Sequence, residues 1–275
     1  MVAAPLLLLV GVALSQPVEL VDASPKHRLK SRRYKLPRSG MVNIEQLVES
    51  ESVGASQWDA GFCLADYVER SGIDDVQCDV RGCSVSSRYL NKTVLVLGAG
   101  AGGLDAISLV NAGARVLATD IDESLFPRLV ANVHANTAGA TGEFVGATRL
   151  AWADRGDMAG ARARLGDPDY VVGSDVTYHL WFDTLALVET LVDFARTARR
   201  AAPEILLAHT FRYRREDEDT LRALDEHFTR TVLPSGPACH ATTALFRLAP
   251  RTPPSGGPVP ELLSSTAEEE RRRRS

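Results

Sequence analysis

The residues best suited to chemistry in this chain are a cluster of glycines and an acid that follows them. Gly98, Gly100 and Gly103 have the spacing G-x-G-x-x-G, and Asp120 lies at the end of the next apolar run. Glycines allow positive φ and leave room for a ligand against the backbone, while an aspartate at a strand end can accept hydrogen bonds from ribose hydroxyls. The spacing therefore predicts a binding site for a nucleoside-containing cofactor.

The glycine spacing alone does not identify that cofactor. It suits NAD and S-adenosylmethionine almost equally, and glycines that only close a tight turn would have the same spacing. Further along the chain, Trp152 offers a flat face to an adenine, and Asp154 offers an acceptor to its exocyclic amine. Asp175 and Tyr178 follow the next predicted strand. Because the carboxyl ends of parallel strands meet in one crevice, we expect these side chains to lie close together.

Seven apolar runs of strand type, most of them separated by helical patterns, would position these residues. The predicted strands cover residues 94–97, 115–119, 144–152, 169–174, 204–209, 228–233 and 241–248. This order predicts an α/β fold, a Rossmann-like doubly wound seven-strand mostly parallel sheet with a C-terminal antiparallel hairpin. The polar stretch 71–90 shows no periodicity and is predicted to be a loop or an insertion, and the basic stretch 24–38 a solvated strand-turn lead-in.

Composition limits the classes of partner. Charged residues make up 24% of the 275 residues and the net charge is −4, so no overall basic field would hold nucleic acid. The four cysteines fit neither a paired-CxxC zinc site nor a dense disulfide framework, and no metal site is expected. We therefore expect buried or free thiols in a reducing compartment.

The first 17 residues contain an apolar run over positions 6–14 and a small-x-small sequence at Ala13-Leu14-Ser15. The run is too short to span a bilayer as a helix, so no stable membrane span is expected, and no Lys or Arg precedes it. Asn91-Lys92-Thr93 is formally a glycosylation acceptor, but it abuts a predicted core strand. We expect a cytoplasmic protein, with targeting or secretion through segment 1–17 as the alternative.

Several of these features, in this order, resemble the seven-strand S-adenosylmethionine-dependent methyltransferases, and within them the protein-lysine methyltransferases of methyltransferase family 16. The matching pieces are Trp58-Asp59-Ala60, the glycine turn from Leu97 to Gly102, Asp120, Leu150-Ala151-Trp152, the D-x-x-Y sequence Asp175-Val176-Thr177-Tyr178, Leu206-Leu207-Ala208, and Arg212-Tyr213 with residues 215–217. The glycine turn is generic, whereas the Trp-Asp-Ala, Leu-x-Trp and D-x-x-Y set is specific. The resemblance covers about residues 41–248.

The resemblance implies S-adenosyl-L-methionine as the cofactor and a lysine side chain of a non-histone protein as the methyl acceptor. It implies catalytic roles for Asp175 and Tyr178, although an aspartate there could also cap the following helix. The implied cofactor-binding residues are Trp58, Gly98, Ala99, Gly100, Asp120, Ile121, Trp152 and Asp154. The resemblance also implies a methyltransferase domain over residues 41–250, preceded by an extension over 1–40. The Pro/Gly/Ser-rich composition of residues 251–275 predicts a disordered tail.

Other functions remain open at this point. The acceptor could be a histidine, an amino terminus or a small amine. An NAD-dependent oxidoreductase would need a catalytic acid or base such as a Lys or a Tyr-x-x-x-Lys pair, and no such spacing follows the fourth strand. A catalytically silent adaptor would not need Asp175 and Tyr178, and both are present. One departure concerns Val96, because many family members have an acid there that orients the methionine amine of the cofactor. In this chain that contact must come from elsewhere or be weaker.

Overall fold

The computed structural model describes residues 29–71, 75–79, 82–177 and 184–251. The helices within these ranges are α1 (Asp59–Ser71), α2 (Leu104–Asn111), α3 (Phe126–Asn136), α4 (Arg155–Leu165), α5 (Thr184–Arg196) and α6 (Arg214–His227). The strands are β1 (Ser31–Leu36), β2 (Gly40–Glu45), β3 (Asp75–Asp79), β4 (Gly82–Ser86), β5 (Thr93–Leu97), β6 (Arg115–Asp120), β7 (Glu143–Arg149), β8 (Tyr170–Ser174), β9 (Glu204–Thr210), β10 (Phe228–Leu233) and β11 (Thr243–Pro250).

A seven-strand sheet in the order β10-β11-β9-β8-β5-β6-β7 forms the centre of the molecule. Strands β5 to β9 are parallel, and β11 is antiparallel to both β9 and β10. The predicted fold class is therefore confirmed, including the antiparallel pair at the C-terminal end. In such a sheet the carboxyl ends of the parallel strands lie along one edge, where the site residues follow them.

Both faces of the sheet are covered, which explains why its central strands are apolar throughout. On β5, Val94 and Val96 belong to a buried cluster that also takes in side chains of α1, α2 and α3. Leu95 and Leu97 belong to the opposite cluster, which takes in side chains of α4, α5 and α6. The alternation along one strand thus fixes which helices lie on which face.

An antiparallel hairpin of β1 and β2 precedes the sheet. Its buried positions alternate, as expected for a strand pair with one face against a core. Arg33 and Lys35 are exposed, in agreement with the predicted solvated lead-in, but Arg32 is buried. Arg32 donates hydrogen bonds to the backbone oxygen of Gln57 and, over 2.8 Å, to Asp59. Strand β1 thus supports the segment before α1, and the hairpin spans the boundary expected at residue 41.

One open alternative is narrowed by the structure, and one helix boundary was wrong. Residues 75–79 and 82–86 form the antiparallel hairpin β3–β4 within the stretch that was predicted to be a loop or an insertion, with Cys78 opposite Cys83 in the register. Helix α6 begins at Arg214, earlier than the helical pattern indicated, because polar residues fill its first two turns.

Segment 1–17, Tyr178 and residues 252–275 lie outside the described residues. Within the described ranges, no helix has the length and apolar character needed to cross a membrane.

The expectation of unpaired thiols was also wrong for one pair. Cys63 of α1 and Cys239, in the connection between β10 and β11, form a disulfide with Cα atoms 4.4 Å apart. The same connection packs on α1 at Gly236, where an added Cβ would come within 2.1 Å of an Asp66 carboxylate oxygen. The sequence gives no sign of this bond because 176 residues separate its two cysteines.

We predict that the disulfide stabilises the fold. A bond that closes a long loop typically contributes about 2–4 kcal/mol to the free energy of unfolding. Cys239→Ala should lower that free energy by this amount in urea titrations without reductant, and dithiothreitol should lower the wild type to the level of the variant. Equal stability of the wild type with and without dithiothreitol would show that the bond does not form.

Candidate active site

The turn between β5 and α2 needs its glycines. Gly98, Gly100 and Gly103 have φ values of 58°, 58° and 64°, a region that L-residues with a Cβ rarely adopt. A Cβ on Gly100 would lie 2.7 Å from the backbone oxygen of Gly54, and one on Gly98 would lie 2.7 Å from a Val176 methyl group. The Ala99 amide donates to the oxygen of Thr119 over 2.9 Å. The backbone of this turn is therefore closely covered from two sides.

Asp120 ends β6 directly beside this turn. Its Oδ2 accepts a hydrogen bond from the Gly100 amide over 2.9 Å, and its Oδ1 accepts one from Asp122 over 3.1 Å. Burial raises the pKa of Asp120, while amides of Gly100, Ile121 and Asp122 counteract this effect. The Ile121 amide also bonds to this carboxylate, so of its four acceptor directions one remains for a ribose hydroxyl. Ile121 is 53% exposed next to it.

The turn after β7 carries Trp152 and Asp154. Trp152 is partly buried against the cluster that α4 and α5 share. Asp154 is exposed and caps α4, because its Oδ1 accepts the Asp157 amide over 3.0 Å. Between them, Ala153 has a φ of 60°, and its amide donates to Thr190 Oγ1. This helix cap is a role of Asp154 that was not predicted from the sequence. The contacts of Trp152 and Asp154 with an adenine remain predictions.

Asp175 follows β8 and is held by the neighbouring strand. Its side chain is 4% exposed, and its carboxylate accepts hydrogen bonds from the amide and the hydroxyl of Thr210 at 2.9 and 3.2 Å. Arg212 donates to both carboxylate oxygens, over 3.2 and 2.9 Å. None of these described bonds goes to the residues that directly follow Asp175, so the capping alternative receives no support from them. The backbone of Asp175 has a φ of 52°, which is unusual for this residue type.

Arg212 connects Asp175 to Trp58. The guanidinium carbon lies 5.2 Å from the centroid of the Trp58 ring, within the range of a cation–π contact. The Trp58 indole in turn donates to the Val53 oxygen over 3.0 Å. Two predicted site residues are therefore brought together by a third one, which the sequence analysis had named only as part of the resemblance.

The segment that carries Arg212 is held by a buried group of polar side chains. Asp217 accepts hydrogen bonds from the amides of Arg212 and Tyr213, both at 2.8 Å. Asp217 also lies 3.0 Å from His209 Nε2, and His209 Nδ1 is hydrogen-bonded to the hydroxyl of Thr177. These contacts link the end of β9 to the residues after Asp175, so the position of Arg212 is set by groups away from its own side chain.

Asp105, in the first turn of α2, is a buried acid that the sequence analysis missed. It is 4% exposed, and its Oδ2 accepts a hydrogen bond from Ser174 over 2.6 Å. Its Oδ1 has no hydrogen-bond partner among the described residues. Burial raises its pKa to about 7, against the Ser174 hydrogen bond and with a further contribution from Asp175. The signal available in the sequence was a single acid in the mostly apolar helical pattern that follows the glycine turn.

This arrangement fits a nucleoside cofactor with an amino-acid end. Asp120 keeps an acceptor for a ribose hydroxyl beside the glycine turn, and Arg212 brings Trp58 together with Asp175 at the end of β8. Together with the seven-strand sheet and its antiparallel end, these features define an S-adenosylmethionine-dependent methyltransferase. The sequence profile of the lysine methyltransferase family matches residues 38–227. The chain belongs to this family, and its methyl donor is S-adenosylmethionine.

Two curated relatives illustrate the similarity. The chain is 29% identical over 192 residues to protein N-lysine methyltransferase METTL21A of Xenopus tropicalis, covering 68% of this chain and 74% of that protein. It is 25% identical over 212 residues to protein-lysine N-methyltransferase EEF2KMT of Mus musculus, covering 72% of this chain and 56% of that protein. Among solved structures, magnesium protoporphyrin IX methyltransferase of Synechocystis with bound SAM aligns with a TM-score of 0.39 and 23% identity, over 58% of this chain and 71% of the other.

We predict that Gly100→Ala is far more damaging than Gly139→Ala. Both glycines have positive φ, but only Gly100 has a backbone atom within 3 Å of the added Cβ, whereas Gly139 has nothing within 4 Å. Gly139→Ala should cost about 1–2 kcal/mol of stability from backbone strain alone and leave S-adenosylhomocysteine affinity unchanged. Gly100→Ala should lose at least tenfold in that affinity, measured by titration calorimetry. Identical behaviour of the two variants would contradict a requirement for close approach at Gly100.

Proposed function

We propose that this protein transfers a methyl group from S-adenosylmethionine to a lysine side chain of another protein. The observation that carries the proposal is the buried carboxylate of Asp175, whose neighbour Val176 packs close to Gly98 and which is linked through Arg212 to Trp58. The printed descriptions of METTL21A and EEF2KMT, both protein-lysine methyltransferases, support the same acceptor. Tyr178, which completes the D-x-x-Y sequence, lies outside the described residues and keeps its proposed role from the resemblance.

The chemical difficulty lies in the acceptor. S-adenosylmethionine supplies an electrophilic methyl group on a positively charged sulfur, and only a nitrogen with a free lone pair can accept it. A lysine side chain has an ordinary pKa near 10.4, so roughly one in 10³ to 10⁴ is neutral at pH 7. The protein must therefore favour the neutral amine, align it with the methyl group and hold the charge that then develops on nitrogen.

Asp175 and Arg212 suit these tasks together. The four acceptor directions of the Asp175 carboxylate are taken by Thr210 and Arg212, so an incoming amine would replace one Arg212 contact. Such an exchange leaves the buried carboxylate with a partner, which avoids the cost of an unpaired charge. The Asp175 side chain is buried, and desolvation at such a position favours the neutral amine over the ammonium. Asp175 then stabilises the positive charge on the methylated nitrogen.

We predict that Asp175→Asn lowers the methylation rate at least about 10²-fold and keeps S-adenosylhomocysteine affinity within about threefold. Thr210→Val is the matched control, because it removes one hydrogen bond to the carboxylate but leaves its charge and Arg212 in place. That control should keep the rate within about tenfold of the wild type. Tyr178→Ala should behave like Asp175→Asn but less severely.

The assay uses radiolabelled S-adenosylmethionine with a cell extract as the source of acceptor proteins, followed by mass spectrometry of the labelled band. Label on a lysine side chain is the expected result. Label on a histidine, an amino terminus or a small amine would replace this acceptor with one of the alternatives. Near-normal turnover by Asp175→Asn, at an unchanged melting temperature, would show that Asp175 is not part of the mechanism. The position of the label in the wild-type reaction would still identify the methyl acceptor.

The cytoplasmic location is a further part of the proposal, and the disulfide provides a specific reason to test its alternative. Structural disulfides persist in oxidising compartments and are rare in the cytosol. In protein isolated from its native host, a cytoplasmic location predicts that Cys63 and Cys239 are both alkylated after unfolding without reductant. Export through segment 1–17 predicts instead an intact disulfide, cleavage after Ser15 and a glycan on Asn91. Mass spectrometry of the isolated protein distinguishes the two outcomes.

A further inference from the structure

The carboxyl group of Asp105 has no task in the mechanism described above, although its position is costly. A carboxylate that is buried without a full set of partners destabilises a fold by several kcal/mol. Ser174 satisfies Oδ2, and Oδ1 faces no donor among the described residues. A buried acceptor left open in this way points to a donor that belongs to a ligand.

The surroundings of Asp105 are the elements that carry the cofactor site. Asp105 lies two residues after Gly103, and its partner Ser174 directly precedes Asp175. On the third side, a Cβ added to Gly61 would lie 3.4 Å from Asp105 Oδ1 and 3.2 Å from Ser174 Oγ. Gly61 is in the first turn of α1, directly after the segment that contains Trp58. The unpaired oxygen therefore lies buried where the glycine turn, the end of β8 and the start of α1 meet.

The other carboxylates of the site have other proposed roles. Asp175, bonded to Thr210 and Arg212, is the proposed partner of the methyl acceptor, and Asp120 lies at the ribose end of the site, at the tip of β6. S-adenosylmethionine also carries an α-ammonium group, which needs an acceptor of negative charge. Val96, where many family members have an acid, is buried and apolar and cannot provide one.

We propose that Asp105 binds the α-amino group of the cofactor's methionine moiety through Oδ1, while Ser174 holds the other carboxyl oxygen in place. The first turn of α2 thus supplies the acidic contact that the end of β5 lacks. The assignment rests on the cofactor and not on the methyl acceptor, so its test is independent of which nitrogen the enzyme methylates.

The test compares two ligands by titration calorimetry, S-adenosylhomocysteine and its analogue in which hydrogen replaces the α-amino group. The wild type should bind the amino compound at least about tenfold more tightly, because a charge-assisted hydrogen bond is lost with the analogue. In Asp105→Asn the preference should fall to within about threefold, and Asp105→Ala, which removes the acceptor altogether, should show the same loss. A preference in Asp105→Asn equal to that of the wild type would overturn the proposal.

Asp66→Asn is the matched control. Asp66 is also a buried acid, but its carboxylate is paired with Arg70 on α1 over 2.8 Å. The control should keep the wild-type preference for the amino compound, which separates a specific contact from the general loss of a buried negative charge. Loss of the preference in Asp66→Asn as well would count against a specific contact at Asp105. Asparagine has the shape of aspartate and no charge to bury, so Asp105→Asn should remain folded.

A second measurement follows from the charge of Asp105. The charged group that faces Asp105 is the Asp175 carboxylate, which is itself paired with Arg212. On the α1 side, the neighbouring residues Gln57 and Gly61 are uncharged. With its pKa near 7, Asp105 is mostly protonated at pH 6 and must ionise to bind an ammonium group. Binding of S-adenosylhomocysteine should therefore release about one proton at pH 6 and close to none at pH 8.5.

Proton release is measured by calorimetry in two buffers that differ in their ionisation enthalpy. Asp105→Asn should abolish the release at pH 6, and the analogue without the amino group should not cause it in the wild type. Equal release by the two ligands, or by the wild type and the variant, would contradict an amino contact at Asp105.

Discussion

The buried ion pair between Asp175 and Arg212 is the contact on which the arrangement of the site depends. A carboxylate that is 4% exposed is tolerable only with strong partners, and the two-pronged guanidinium contact provides them with defined geometry. Asp175 comes from the end of β8, Arg212 from the segment after β9, and the Trp58 ring under the guanidinium from the segment before α1. One charge pair thus sets the relative position of three segments that are distant in the sequence, and Asp217 fixes the backbone from which Arg212 extends.

Features that depend on neighbours in the sequence could be predicted. The glycine turn, the acid at the end of β6 and the order of strands and helices each follow from local composition and periodicity, and the structure places them accordingly. The family resemblance added specific roles for Asp175 and Trp58, whose types alone would also suit a helix cap and a core anchor. The β3–β4 hairpin could not be predicted in the same way, because its strands are polar and pair only with one another.

Features that depend on contacts between distant segments escaped the sequence. Asp105 gains its significance only from Ser174 and Gly61, which β8 and α1 bring to it. Arg32 resembles any residue of a solvated basic stretch, yet it is buried and bonds to the Gln57 backbone oxygen and the Asp59 carboxylate, on either side of Trp58. The resemblance began near residue 41, so a strand outside it supports one of its most specific residues. Burial of a charged side chain cannot be recognised before its partner is known.

In its oxidised form, the Cys63–Cys239 pair also determines the covalent topology of the enzyme. It converts residues 63–239 into a closed ring that contains the glycine turn, Asp120, Trp152, Asp175 and Arg212. A single backbone cleavage anywhere inside this ring leaves every strand of the site on one covalently connected molecule, whereas cleavage outside it removes the β1–β2 hairpin or β11. The site residues within the ring therefore stay covalently joined after one cut. Trp58 lies outside the ring and is joined to it covalently only through the first turn of α1, although its ring also contacts Arg212.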